Sequence, residues 1–218
     1  FTCMKYWCAI LFFSVSLFAV SQQKIVKTIK SDAPYVEVKT DGIDNLIIQE
    51  SETNELVMTI LDRDGLGVVE NFSCDDFNCI LNIKTELKEG NPITQSKVNF
   101  IVAPQSNVNA VVKIPKNKKV TVFGETIDIQ TNGYEGVLRI LIDKGNIRIK
   151  NIKGITEIDL FDGTVFATIE DIALNIKTRK GKITLNEEAQ KSPYKKKKKK
   201  SHLLIVKSIN ANVVLTQQ

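Results

Sequence analysis

Glu157 and Asp159 are the pair of side chains in this sequence best spaced for chemistry. They alternate within a short apolar stretch, so in a β-strand both carboxyl groups would lie on one face, about 7 Å apart. A carboxyl pair on one face is the minimal apparatus for glycoside hydrolysis. If the chain repeats every 18 residues, however, Arg139 lies beside Glu157 and Lys177 lies beside Asp159. Such neighbours keep both carboxyl groups ionised, whereas a general acid needs a raised pKa, so the pattern favours surface ion pairs over catalysis.

The other reactive side chains are scattered. The chain has one histidine, His202, beside a run of lysines, and it contains no G-x-S-x-G nucleophile motif. Nine-residue repeats that bind calcium carry G-G-x-G-x-D turns, but the turns here carry cations such as Lys144, Lys153 and Lys180, which repel a metal ion. The sequence therefore predicts no catalytic, cofactor-binding or metal-ligating residue.

The N-terminal segment has the layout of a signal peptide. Met4 and Lys5 precede an uncharged apolar run over residues 6–20, which is too short for a typical membrane-spanning helix. Small residues at Ala19 and Ser21 predict cleavage before Gln22, so residues 1–21 are interpreted as a signal peptide and residues 1–3 as an upstream extension. We expect an exported mature chain without an integral membrane segment, in the periplasm, on the outer cell surface or outside the cell.

Cys74 and Cys79 are the two cysteines that remain after removal of this segment. An even pair in an exported protein favours a disulfide, which here would close a tight hairpin or loop. Free thiols are the alternative. A metal site would need further ligands, and the distant His202 cannot complete a set of four.

The formal net charge of +5 comes from a single tract. Without Lys5, 29 basic residues face 25 acidic ones, and six adjacent lysines account for the excess: Lys195, Lys196, Lys197, Lys198, Lys199 and Lys200. Adjacent like charges repel and stay solvated, which predicts a surface loop. The tract could also contact a polyanion, such as anionic lipid headgroups or an acidic glycan. Nucleic acid is not an expected partner, because neither a recognition helix nor a zinc spacing accompanies the charge.

The second half of the chain repeats every nine residues from Gly136: GVLRILIDK, GNIRIKNIK, GITEIDLFD, GTVFATIED, IALNIKTRK and GKITLNEEA. Positions three and five of the blocks are almost all apolar: Leu138, Ile147, Thr156, Val165, Leu174 and Ile183, then Ile140, Ile149, Ile158, Ala167, Ile176 and Leu185. Alternation with a period of two predicts one short strand per block, and a strand of this kind buries its apolar row only when copies stack. Glycine would supply the backbone angle that each corner requires.

These blocks predict an all-β protein with a C-terminal parallel β-solenoid over residues 116–218, with two strands per coil. Leu204, Val206, Val213 and Leu215 resume the inward pattern after a Lys-rich inserted loop at 190–201. Residues 22–115 show irregular apolar runs, among them residues 98–102, and are expected to form an antiparallel β-sheet that caps the first coil.

The run VKIPKNKKVTVFGETIDIQTNGYEGVLRILIDKGNIRIKNIKG and the glycine-opened strands after it resemble the adhesin-like β-helix proteins of bacteroidete envelopes, a family of unknown function. The resemblance is good over residues 95–218 and loose before them. It implies a β-helix fold and a location in the cell envelope. The family has no established catalytic residues, so the resemblance assigns none to this sequence. Block five begins with Ile172 where the pattern has glycine, so a distortion is expected there.

Together these features predict a non-enzymatic exported cell-envelope protein whose adhesin-like solenoid acts as a scaffold or binding surface. The expected partner is an envelope protein or a surface polymer, and no cofactor is expected. Two alternatives are polyanion or membrane-surface attachment through Lys195–Lys200, and a carbohydrate-active β-helix enzyme built on Glu157 and Asp159.

Overall fold

The computed structural model describes residues 23–62, 67–85, 108–198 and 202–217, and this part of the chain is all β. The predicted signal peptide and the apolar run at 98–102 lie outside the described residues. The strands are Gln23–Lys30 (β1), Tyr35–Asp41 (β2), Asn45–Glu50 (β3), Glu55–Asp62 (β4), Val68–Cys74 (β5), Asn78–Thr85 (β6), Val108–Ile114 (β7), Lys119–Thr126 (β8), Asp128–Asn132 (β9), Val137–Lys150 (β10), Ile155–Ile169 (β11), Ala173–Thr178 (β12), Ile183–Leu185 (β13), Glu188–Gln190 (β14), Tyr194–Lys196 (β15), Leu203–Ser208 (β16) and Asn212–Gln217 (β17).

The strands form one mixed sheet that runs in two rows. The front row has the order β5-β6-β2-β8-β10-β11-β16-β12-β15. The back row has the order β1-β4-β7-β3-β9-β10-β11-β17-β13-β14. The long strands β10 and β11 contribute their first halves to the front row and their second halves to the back row.

Consecutive strands in the middle of both rows are parallel and offset by 18 residues. Val137 pairs with Lys119 on one side and Ile155 on the other, and Ile147 pairs with Ile129. The inward side chains of both rows belong to one hydrophobic core. The burial predicted for positions three and five is confirmed at eleven of the twelve residues, since only Leu185 is partly exposed.

The order of the last strands differs from the sequence order. We expected β12 to follow β11, but β16 lies between them in the front row and pairs in parallel with both. In the back row β17 likewise lies between β11 and β13. Leu204, Val206, Val213 and Leu215 point inward and are fully buried, as predicted. These residues repeat the inward pattern of the nine-residue blocks. Strands β16 and β17 can therefore pair their backbones and bury their apolar side chains between two other strands as well as they could at the end of the stack.

The expected antiparallel arrangement of residues 22–115 is only partly correct, because parallel and antiparallel pairs both occur in that segment. Strand β2 pairs in parallel with β6 and β8, and β3 pairs in parallel with β7 and β9, so this segment continues the stack. Within this segment, antiparallel pairing is confined to β1, β4 and β5 with their neighbours. Apolar alternation fixes which face of a strand is buried but not the direction in which the strand runs.

Each end of the stack is covered by antiparallel strands. At the first end, Lys27 of β1 and Glu70 of β5 form an ion pair of 2.9 Å. At the last end, β15 pairs with β12 and β14 pairs with β13. The loop expected at 190–201 is therefore partly strand. Tyr194 packs against the core from β15 and contributes apolar contact that a solvated loop would lack.

Glycine is required at the corner between the two halves of β10. Gly145 has a φ of 141°. A Cβ at this position would collide with the backbone carbonyl group of Ile127, which lies at the neighbouring corner between β8 and β9. At Gly163, with a φ of 131°, the same collision would occur with the carbonyl group of Gly145. The corners stack so closely that no side chain fits between them.

We predict that Gly145→Ala lowers the free energy of unfolding by about 1–3 kcal/mol, because it combines an unfavourable φ with the backbone collision. Urea denaturation followed by circular dichroism measures the loss. Asn117→Gly is the matched control: Asn117 has a φ of 61°, which glycine adopts without strain, so its unfolding midpoint should barely change. Equal stability of Gly145→Ala and the unaltered protein would contradict the proposed crowding.

Candidate functional site

The side chains on the outer face of the front row form ladders that run across its strands. Residues at equivalent positions on adjacent strands lie opposite each other, so the first ladder reads Tyr35, Lys119, Val137, Ile155, Leu203 and Ala173. Its last four members are apolar, and each is at least partly exposed. Ile155 retains 38% of its accessible surface. At the first end of this ladder, the Lys119 ammonium lies 5.1 Å from the centre of the Tyr35 ring.

The two candidate catalytic carboxylates lie in an ion-pair network beside this ladder. Lys207 donates a 2.6 Å hydrogen bond from Nζ to Oε1 of Glu157. Arg139 bridges both acids, with Nε 3.7 Å from Glu157 Oε2 and Nη2 3.6 Å from Asp159 Oδ2. The hydrogen bond from Lys207, supported by the charge of Arg139, lowers the pKa of Glu157, and the same hydrogen bond raises the pKa of Lys207. This arrangement stabilises an ionised carboxylate, which is the opposite of what a general acid requires.

The sequence predicted the correct neighbour for Glu157 and the wrong neighbour for Asp159. Arg139 pairs in register with Glu157, as expected. Asp159 pairs with Lys207 and not with Lys177, because β16 lies between β11 and β12. Lys177 instead lies directly opposite Lys207, which places two ammonium groups on adjacent strands.

A groove of ≈ 810 Å³ crosses the front row where its strands end. It extends from β10 across β11 and β16 to β12. Its most exposed apolar side chains are Phe161 and Ile209, which retain 47% and 40% of their accessible surface. Cationic side chains from β16 and β12 and two carboxylates from β10 and β11 also line the groove.

Sequence reasoning did not identify this groove. Lys207 and Ile209 join it only because β16 enters the stack out of sequence order. Leu141 and Phe161 carried a signal that could have been used: both are large apolar residues at outward positions of the nine-residue blocks, where polar residues are expected.

The remaining predicted site residues lie at the two ends of the stack. Cys74 and Cys79 are opposite each other in the β5–β6 hairpin and are joined as a disulfide. In the lysine tract, Lys195 and Lys196 belong to β15, and Lys198 forms a 2.8 Å ion pair with Asp171. Lys199 and Lys200 lie outside the described residues. The tract is thus not adjacent to the carboxylates of the front row in the strand register.

Within the part of the chain that the structure describes, no three His, Cys, Asp or Glu side chains are grouped so as to hold a metal ion. The same residues include no helix of the length and apolarity needed to cross a membrane.

The fold is similar to that of a solved bacterial protein. A "putative cell adhesion protein" from Clostridium sporogenes superimposes with a TM-score of 0.61 at 11% identity, covering 91% of this chain and all of the other. A "putative adhesin" from Bacteroides fragilis (10% identity, 91% and 99% coverage) and one from Parabacteroides distasonis (12%, 91% and 98%) are also matched, with TM-scores of 0.28 and 0.27. No family model matches the chain, and no curated protein matches it.

The first of these similarities establishes a shared fold, and the resemblance to adhesin-like proteins predicted from the sequence is confirmed at that level.

We predict that Glu157→Gln lowers the free energy of unfolding by about 0.2–1 kcal/mol at neutral pH, a small effect because the partners Arg139 and Lys207 are half exposed. The pKa of Glu157 is lowered from 4.5 in the folded state, so its stabilisation is complete above pH 4.5 and is lost as the pH falls through the lowered value. The two proteins should therefore converge in stability in strong acid.

Urea denaturation at a series of pH values measures this difference. Glu170→Gln is the control, since Glu170 is exposed and makes no ion pair or hydrogen bond among the described residues. A stability difference for Glu157→Gln that persists unchanged into strong acid would show that the network does not act through the ionised carboxylate.

Proposed function

We propose that this protein is a non-enzymatic, exported cell-envelope protein whose strands form a short adhesin-like β-solenoid, and that the outer face of the front row is its binding surface. The partner would be an envelope protein or a surface polymer. The 18-residue parallel register supports the solenoid part of the proposal. The signal-peptide pattern of residues 1–21 and the fold shared with a cell adhesion protein support export to the envelope.

The exposed apolar ladder of the front row is the observation that carries this proposal. Val137, Ile155 and Leu203 lie side by side on three adjacent strands and point away from the core. A strand that faces water normally places polar residues at such positions. A contiguous exposed apolar patch on a rigid sheet, bordered by charges, is typical of an interaction surface.

The ion-pair network of the same face supports a binding role over a catalytic one. Both carboxylates that could serve glycoside hydrolysis are held by cations, and neither is enclosed in a cleft that excludes water. Opposite charges on adjacent strands of a sheet stabilise its surface, and this role accounts for all four side chains in the network.

We expect the unaltered protein to bind an isolated bacterial envelope fraction in a sedimentation assay, without releasing reducing sugar ends from it. The double variant Ile155→Glu with Leu203→Glu should bind at least tenfold more weakly, because it places charges on the apolar ladder. Val214→Glu, an outward apolar residue of the back row, is the matched control and should bind normally. Thermal unfolding verifies that all variants are folded.

Release of reducing ends that Glu157→Gln abolishes would contradict the non-enzymatic proposal. Binding that is equally strong in the front-row double variant and in the unaltered protein would contradict the assignment of the surface.

Attachment to polyanions through the lysine tract is the second candidate function. Lys195 and Lys197 are exposed at one end of the stack, and Lys195 lies in the edge strand β15. Clustered lysines attract any polyanion without sequence information, and such binding weakens as salt is added.

If the tract has this role, the protein binds vesicles of anionic lipid at low salt, salt releases it, and replacing all six lysines by Ser abolishes binding. The control keeps the same net charge by replacing six scattered exposed lysines by Ser: Lys144, Lys150, Lys153, Lys180, Lys182 and Lys191. Binding that survives loss of the tract, or that both variants lose equally, would exclude a specific role for it.

A further inference from the structure

The groove at the carboxyl ends of the front-row strands has the size of a small-molecule site. Its ≈ 810 Å³ lies within the range of about 300–1,000 Å³ that is typical of ligand pockets. All four contributing strands are parallel and in register, so the ends of the strands form a single continuous depression.

One end of the groove carries an excess of positive charge. Lys177 and Lys207 lie directly opposite each other on β12 and β16, an arrangement that is unfavourable for like charges. Lys207 is partly neutralised by Glu157. The side chains of Lys177 and Arg179 make no hydrogen bond or ion pair with any residue that the structure describes, and both are exposed at the groove.

The acids of the groove do not balance these cations. Asp159 is bound by Arg139, 3.6 Å away. Asp143 lies on β10, three strand positions away from β12. The groove is therefore polarised, with unpaired positive charge at its β12 end.

The middle of the groove is apolar. Phe161, Ile209 and Leu141 expose their side chains there, and Ser208 is the only uncharged polar residue in the lining. A sugar would need many hydrogen-bond partners to replace its hydration, and two of the charged side chains in the lining, Asp159 and Lys207, are already engaged by Arg139 and Glu157. An alkyl chain needs none and gains from removal of both apolar surfaces from water.

We propose that this groove binds a single anionic amphiphile, with its carboxylate or phosphate head group at Lys177 and Arg179 and its alkyl chain against Phe161, Ile209 and Leu141. The anion would relieve the repulsion between Lys177 and Lys207, and the chain would cover the exposed apolar side chains. This inference rests on the proposed binding function of the front row and names the ligand class for one part of it.

Isothermal titration calorimetry of the full mature chain with octyl phosphate, below its critical micelle concentration, tests the proposal. Inorganic phosphate supplies the head group alone, and octyl glucoside supplies the chain with an uncharged head. We expect octyl phosphate to bind at least tenfold more tightly than either, and its affinity to fall as salt is added.

Two variants address the two halves of the site. Lys177→Gln with Arg179→Gln should weaken octyl phosphate binding at least tenfold and remove its preference over octyl glucoside. Phe161→Ser should weaken octyl phosphate and octyl glucoside alike. The matched control is Lys150→Gln with Lys182→Gln, which removes one exposed lysine in the back row and one directly before β13, and it should leave binding unchanged.

The proposal is overturned if octyl phosphate binds no better than inorganic phosphate, if the control variant loses as much affinity as Lys177→Gln with Arg179→Gln, or if acidic oligosaccharides or anionic vesicles bind where monomeric octyl phosphate does not. Failure here can be distinguished from failure of the proposed function. If the chain still binds the envelope fraction through Ile155 and Leu203, only the groove assignment is lost.

Discussion

The parallel pairing of strands at a fixed register is the constraint on which the rest of this structure depends. A strand of five or six residues cannot shield its inward side chains, so each one is stable only when it is paired within the stack. The 18-residue offset aligns Ile140 with Val122 and Ile158, and the same alignment repeats in the back row. Gly145 and Gly163 follow from this constraint, because the backbone turns must stack as closely as the strands do.

A stack of this kind is most vulnerable at its ends, where unpaired strand edges can recruit other chains. The chain covers both ends with antiparallel strands that cannot continue the parallel stack. At one end Lys27 and Glu70 introduce charge next to the core. At the other, β14 and β15 are short, and β15 carries lysines. Short and lysine-rich edge strands oppose edge-to-edge aggregation, so part of the lysine tract has a structural role regardless of what it binds.

The same regularity organises the outer surface. Equivalent positions on successive strands form ladders, so one residue type repeated in the sequence becomes a stripe on the protein. The apolar ladder through Ile155 and the ion pairs of Glu157 lie side by side for this reason. The groove is where the regularity is interrupted: inserting β16 between β11 and β12 brings Lys207 opposite Lys177. A local arrangement that is unfavourable by itself often indicates a functional site.

The sequence by itself determined the all-β class, the nine-residue repeat and the inward rows, because alternation and periodicity are local properties that stacking must respect. It placed Leu138, Ile147, Ile158 and Val165 in the core correctly, and it paired Arg139 with Glu157. Only the tertiary structure decided which strand lies beside which. Strands β2, β3, β16 and β17 all present the same inward pattern, so burial is equally satisfied at several positions in the stack. Their positions depend on chain connectivity and on how the ends are covered, and the groove at Lys177 and Phe161 follows from that choice.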